Sequence, residues 1–351
     1  MLTPRALRAW LDQRGEPAYR AEQVLSWVYR SGAHSFEELT NVPRSLRAAL
    51  DRDFRWPAAR LETVLRAVDD TRKLLLRFDD GATIECVVIP DPPRLTLCIS
   101  SQVGCGMGCA FCATARLGLR RNLDSAEIIA QVLAARSVLR LDERLTNVVF
   151  MGMGEPLANY QNLVEAIEVL TAPWGFDLSG RRITVSTVGL LPQMERLVRE
   201  TPVQLAVSLT AATDELRSEL MPVNRRYQLE ALIDVCRRLP LPQRRRVTFE
   251  YVLLAGINDR PQDAQLLAQL LRGVRAKVNL IPFNPFPGAP YARPTDDVVR
   301  EFQEVLLARG VHTTVRRSRG LEVQAACGQL ALSSQGQQTS VINMDYGAQR
   351  S

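Results

Sequence analysis

Gly104-Cys105-Gly106-Met107-Gly108-Cys109-Ala110-Phe111-Cys112 sets three thiols at spacings of four and three residues in a glycine-rich run. A [4Fe–4S] cubane takes four ligands, so three thiolates suit a cluster left one protein ligand short. The fourth iron then stays open to a chelating small molecule. The amino-acid end of S-adenosylmethionine is the usual occupant of such a position, which points to radical chemistry. With seven cysteines in 351 residues, chance would place two more at these offsets roughly 0.003 times per chain. Zinc is the rival reading. A structural zinc site needs a fourth Cys or His, and the only histidines, His34 and His312, are far away in sequence.

Outward from this loop, apolar runs alternate with helical patterns. Strands are expected near 95–100, 145–151, 182–187, 203–208, 246–254 and 276–282, and helices near 124–138, 157–171, 190–200, 228–238, 261–272 and 295–309. Several of the strands are apolar on consecutive positions, as strands covered on both faces should be. Six βα units imply an α/β fold, a partial (β/α)6 barrel with its chemistry at the strand C-termini. The thiol loop follows the first of these strands. Residues 1–60 carry helical periodicity instead (Leu7, Trp10, Leu11; Val24, Leu25, Val28; Leu46, Leu50), with Pro43 suited to the first turn of the last helix. Between 61 and 94, short β-rich runs separated by Asp-Asp, Asp-Gly and Pro-Pro signals read as a hairpin entering the larger sheet. The barrel would occupy 95–315 and a loop-like tail 316–351.

The apolar fraction of 46% suits a soluble globular protein, and no apolar run reaches the length of a membrane span. The N-terminus has no apolar signal core, so a cytoplasmic, reducing compartment is expected, which suits an oxygen-sensitive cluster. The net charge of +6 rests on 44 basic residues, of which only Lys73 and Lys277 are lysine. Clusters at Arg116/Arg120/Arg121, Arg225/Arg226, Arg244/Arg245/Arg246 and Arg316/Arg317/Arg319 are candidates to neutralise phosphates.

Other motifs stand at the ends of the later strands. In Met151-Gly152-Met153-Gly154-Glu155-Pro156 the glycines would let backbone approach a ligand closely, and Glu155 could hold a cationic amine. Ser186-Thr187, Ser208-Leu209-Thr210 and Asn284-Pro285-Phe286 put small polar groups at similar places. Of the remaining cysteines, Cys236 in an apolar helical stretch and Cys86 in a strand read as core residues. Cys327, in Ala325-Ala326-Cys327-Gly328-Gln329, follows the last helix in a loop, which makes it a candidate nucleophile.

Together, Leu97-Cys98-Ile99-Ser100-Ser101-Gln102-Val103-Gly104-Cys105, the triad, Asn122-Leu123, Met151–Leu157, Asn279–Gly288, Ala326–Leu330 and the N-terminal Tyr19–Tyr29 resemble the RlmN/Cfr radical methylase family along nearly the whole chain. The resemblance implies a radical-SAM-type partial barrel and an RNA-binding role for the helical accessory domain. It implies that Cys105, Cys109 and Cys112 hold a [4Fe–4S] cluster, and that Gly154, Glu155, Ser186, Ser208, Leu209, Thr210 and Asn284 contact S-adenosylmethionine, used twice per turnover. It makes Cys327 the S-methylated cysteine, Cys98 the cysteine that resolves the adduct through a transient disulfide, and Glu85 the proton acceptor. At Thr210 this chain departs from the histidine that the family commonly carries.

Carbon 2 of adenine is electron-poor and will not attack a sulfonium methyl. The family's route therefore parks the methyl on the cysteine, adds it to the ring as a radical, and frees the product by thiol attack. The expected substrates are 23S rRNA and tRNA, with a low-potential electron donor such as flavodoxin and a thiol reductant as partners. Methylation at carbon 8, as in the resistance-conferring branch, is the alternative; an iron–sulfur RNA-binding or electron-transfer protein is a remote one, since neither needs the further pair Cys98 and Cys327.

Overall fold

Helices α1 (Pro4–Asp12), α2 (Tyr19–Tyr29) and α3 (Arg44–Asp53) open the chain. Thr3 accepts a hydrogen bond from the Ala6 N–H ahead of Pro4 to cap α1, and Pro43 stands as the N-cap residue of α3. This computed structural model describes residues 1–56, 59–243 and 245–331; Pro57 and Ala58 of the helical stretch, Arg244, and the tail beyond Ala331 lie outside the described residues.

An antiparallel meander follows: β1 (Arg60–Arg66), β2 (Arg72–Arg77), β3 (Thr83–Asp91) and β4 (Arg94–Cys98). After it come β5 (Gln102–Gly104), β6 (Leu119–Asn122), α4 (Ser125–Ser137), β7 (Asn147–Phe150), α5 (Tyr160–Thr171), β8 (Ile183–Thr187), α6 (Leu191–Glu200) and β9 (Gln204–Ser208). The chain continues through α7 (Asp214–Leu220), α8 (Leu229–Arg238), β10 (Val247–Leu253), α9 (Pro261–Leu270), β11 (Ala276–Pro282), α10 (Asp296–Ala308) and β12 (Thr313–Val315). All six expected parallel strands and their six helices are present. The ribbon β5–β6, the short helix α7 and the strand β12 were not expected.

One ten-stranded sheet runs in the order β1-β2-β3-β4-β7-β8-β9-β10-β11-β12, antiparallel as far as β4 and parallel beyond it. Among the described residues β1 and β12 are its two edges, so the barrel is open. Consecutive parallel strands need helical crossovers, and these cover the outer face. The helix α4 is started by a capping box in which the Asp124 side chain and the Glu127 backbone N–H, and the reverse pair, satisfy each other. The N-terminal helices dock on this helical layer: the Arg5 N–H donates to Glu165 Oε1 at 2.7 Å, Arg8 pairs with Glu168 at 2.6 Å, and buried Tyr29 lies beside Trp174 and Phe176. One continuous apolar core joins the two parts.

Candidate active site

The strand C-termini open on a cavity that Cys105, Cys109 and Cys112 line from one side and Cys327 from another. The thiol loop is tied down at both ends. The Cys105 N–H donates to Gly118 O at 2.9 Å, Ala110 N–H to Leu220 O at 2.9 Å, and Ala113 N–H to Gly328 O at 2.8 Å. Gly104, at φ +78°, has no alternative: a Cβ there would sit 1.8 Å from Gly118 O.

As bare thiols, Cys105 and Cys109 are costly to ionise. Burial pushes Cys105 up to about 11, and Cys109 further up with Cys112 and Cys105 adding to it. A bound iron centre reverses that logic, because its positive charge deprotonates the thiols that ligate it. Among the described residues no three Cys, His, Asp or Glu gather tightly enough to hold one metal ion. All three thiols border the one cavity.

Glu155 lines the same cavity with 2% of its surface exposed. Its Oε1 accepts from the Leu157 N–H at 3.0 Å and its Oε2 from the Val188 N–H at 2.9 Å, which fixes the carboxylate's direction, and burial raises it to about 7. An ammonium brought against it would restore the charged form. The glycines around it are also required by packing. A Cβ on Gly152 would lie 2.6 Å from Ser100 Oγ, and one on Gly154 would lie 2.6 Å from Gln102 Cβ. Their smallness admits the chain leaving β4, and both glycines border the cavity.

Ser186, Ser208 and Asn284 also border the cavity. Ser186 Oγ donates to Glu250 Oε2 at 3.1 Å, and Arg316 Nη1 stands 4.0 Å from Glu250 Oε1. Arg316 therefore leaves the phosphate-binding group in which its sequence neighbours placed it. Its guanidinium is raised first by Cys327 and hydrogen-bonds that side chain, while Cys327 itself, pushed up by burial, is drawn back down by Arg316. Asn284 Nδ2 donates to Cys327 O at 3.1 Å, and its Oδ1 accepts from Ser318 Oγ at 2.6 Å. Leu209 and Thr210 lie behind the wall. The Leu209 N–H donates to Glu250 O at 2.8 Å; Thr210, fully buried, gives its carbonyl to Asn258 Nδ2 at 2.7 Å and holds a φ of +60°, a strained conformation for a β-branched residue.

Cys98 closes β4 and is 4% exposed. Burial, and then the nearby charge of Cys327, push its thiol up to about 12. It stands opposite Val87 in the β3–β4 register, so Glu85, two residues along β3, shares its face of the sheet. Glu85 is buried; its Oε2 accepts from the Ala331 N–H at 3.0 Å and its Oε1 lies 2.9 Å from Lys73 Nζ. Cys86 falls on the other face, and Cys236 sits in the core of α8. Glu250, Arg316 and Lys73 were missed in the sequence.

Several arginines of the proposed phosphate clusters have structural partners. Arg121 pairs with Asp80 and Glu127, each at 2.7 Å; Arg116 donates to Gly288 O at 2.6 Å over the Phe286 ring; Arg319 pairs with Asp91 at 3.3 Å. No helix among the described residues is long and apolar enough to cross a membrane.

The Radical SAM superfamily pattern matches residues 99–268, and that of the ribosomal RNA large subunit methyltransferase N-terminal domain matches residues 1–55. The chain is 52% identical over 324 residues to the dual-specificity RNA methyltransferase RlmN of Syntrophobacter fumaroxidans, covering 92% of this chain and 95% of that one. It is 50% identical over 330 residues to the enzyme of the same name from Pelobacter propionicus, covering 94% of each. The crystal structure of a radical SAM methyltransferase from Sphaerobacter thermophilus superposes with a TM-score of 0.87 at 47% identity, covering 94% of this chain and 97% of that chain. Matches of this extent, over both the helical module and the barrel with its three-thiol cavity, show that the chain belongs to the RlmN family of radical SAM RNA methyltransferases.

Proposed function

We propose that this chain methylates carbon 2 of an adenine in 23S rRNA and in the tRNA anticodon loop, by way of a methyl group carried on Cys327. The observation that supports this reading most is the placement of Cys327 on the wall of the cavity bordered by the three thiols, with Cys98 close enough to feel its charge. Cys105, Cys109 and Cys112 would hold the [4Fe–4S] cluster. Gly154, Glu155, Ser186, Ser208 and Asn284 would face S-adenosylmethionine, with Leu209 and Thr210 supporting that wall from behind. The cluster and S-adenosylmethionine, when bound, supply the methyl group and the one-electron chemistry that makes a carbon radical.

The chain's own residues do the rest. Arg316 favours the Cys327 thiolate, whose sulfur takes the methyl by displacement. After the radical generated from the second S-adenosylmethionine takes a hydrogen atom from that S-methyl group, its carbon adds to carbon 2; the ring proton passes to Glu85 and the remaining unpaired electron would go to the bound cluster, the one-electron acceptor at hand. The result is a thioether joining RNA to Cys327. Attack of the Cys98 thiolate on Cys327 Sγ breaks the sulfur–carbon bond, the departing carbon takes a proton to become the product methyl, and a Cys98–Cys327 disulfide remains. An external thiol must reduce it, and a low-potential donor such as flavodoxin must feed the cluster, as a cytoplasmic protein could. Two S-adenosylmethionine molecules are consumed, one for the methyl and one for the radical. Intact-mass measurement of the purified chain tests the scheme together with nucleoside analysis of RNA from cells lacking it: one extra methyl on Cys327 and loss of 2-methyladenosine are expected. An unmethylated Cys327 in active protein refutes it.

A further inference from the structure

Arginine supplies nearly every cation of this chain, since only two of its 44 basic residues are lysine. The preference reaches the core. Arg217 is fully buried, and its guanidinium spends Nε on Leu209 O, Nη1 on Asn224 Oδ1 and Nη2 on Val188 O and Ser208 O, so four of its five donors are bonded. Lys277 is exposed. Lys73 alone is a buried lysine, with 3% of its side chain exposed, and it stands 2.9 Å from the Oε1 of an equally buried Glu85. Beyond that ion pair its ammonium has no hydrogen-bond partner among the described residues. A guanidinium there would bury five donors in a fixed fork, whereas a compact ammonium buries three on one rotatable head beside the carboxylate.

The strand pattern gives this pair a direction. Lys73 pairs with Val87 across β2–β3, and Val87 with Cys98 across β3–β4, so Lys73, Glu85 and Cys98 share one face. Lys73 is the charged side chain facing Glu85 from β2; from the C-terminal segment the Ala331 N–H meets the other oxygen. Cys86 lies on the opposite face of β3, and Arg72 turns to Glu143 and Asp70.

We propose that Lys73 is the positioning residue for Glu85 in removal of the adenine ring proton, an inference that rests on the function proposed above. The ammonium aims the carboxylate and compensates its charge in a buried position. On transfer the ring C–H bond breaks, its electron pair stays with the ring adduct, Glu85 becomes a neutral carboxyl, and Lys73 remains an ammonium throughout.

The test compares wild type, Lys73→Met and Glu85→Gln in single-turnover reactions on RNA carrying hydrogen or deuterium at the target carbon 2, run separately. Cys327 methylation, read by mass, confirms in each variant that the fold and the earlier steps survive. Lys73→Met is expected to be methylated on Cys327 yet to form product tenfold or more slowly, within the roughly 10²–10⁴-fold span of acid–base assistance, and to show a larger deuterium effect than wild type. A packing role would slow the reaction without enlarging that effect. A wild-type rate, or a slower rate with an unchanged isotope effect, overturns the proposal. Should Lys73→Met fail to fold, Lys73→Gln is read by the same isotope criterion. A fully active Glu85→Gln would instead overturn Glu85 as base, and a wild-type protein that leaves RNA unmethylated would overturn the function itself.

Discussion

Replacing Cys98 by alanine separates a chemical from a packing role. The side chain is 4% exposed at the end of β4, beneath the Cys327 loop. Its removal deletes one methyl-sized atom, at a cost of about 1 kcal/mol if the cavity does not relax. Against a stability of about 5–15 kcal/mol for an ordinary domain, the variant stays folded. Cluster binding, methylation of Cys327 and addition to carbon 2 use no part of the Cys98 thiol, so all should survive. Release should not. A covalent complex of one RNA per chain should accumulate, visible on a denaturing gel as a band of raised mass that nuclease trims and that Cys327→Ala abolishes. Free methyladenine at wild-type yield from Cys98→Ala would refute the two-cysteine route and leave Cys98 as a packed strand residue.

Alanine at any one of Cys105, Cys109 or Cys112 should cost the purified protein its brown colour and its reductive cleavage of S-adenosylmethionine, as read by absorbance and chromatography. Glu155, with an ordinary value of 4.5 and raised to about 7 by burial, binds its proton more tightly in the fold than in the unfolded chain; its contribution is intact below about 4.5 and lost as pH rises to about 7, roughly 3 kcal/mol in all. Urea titrations of the unloaded chain across that range should show this fall, and Glu155→Gln should flatten it. Arg217→Met should destabilise the chain by on the order of 3–5 kcal/mol, because the carbonyls of Val188, Ser208 and Leu209 lose their buried donor; chemical denaturation measures it.

The parts of this molecule that could be read from sequence are those whose signal is local. The parallel strands announce themselves as consecutive apolar residues because both of their faces are covered, and the meander by its Asp-Gly and Asp-Asp turns. The thiol loop carries its meaning in its own spacing. The ribbon β5–β6 is three or four residues long and contains Gln102, Arg120, Arg121 and Asn122, so nothing periodic marks it; pairing across the cluster loop creates it. Glu250 occupies an alternating position of β10 and looks like any polar strand residue until Ser186 and Arg316 meet it from other elements. Arg316 was hidden by its neighbours, since a run of arginines reads as surface charge. Lys73 was noticed only as a scarcity, and its meaning needed the partner across the sheet.

Why Cys327 should sit on a loop while Cys98 sits on a strand follows from where the loop's hydrogen bonds go. Residues 325–331 form neither a helix nor a strand, yet they are anchored on three sides. Gly328 O and Leu330 O accept from Ala113 N–H and Thr114 Oγ1 just beyond the cluster loop, Cys327 O and Pro285 O are bonded by Asn284 and Gln329 at the exit of β11, and the Ala331 N–H reaches Glu85 on β3. A residue on a strand could face only one side of the sheet. On the function proposed above, a loop pinned between the three-thiol loop, the end of β11 and β3 would let one sulfur turn toward the methyl donor, the adenine and the resolving thiol in succession, by side-chain rotation in place of backbone travel.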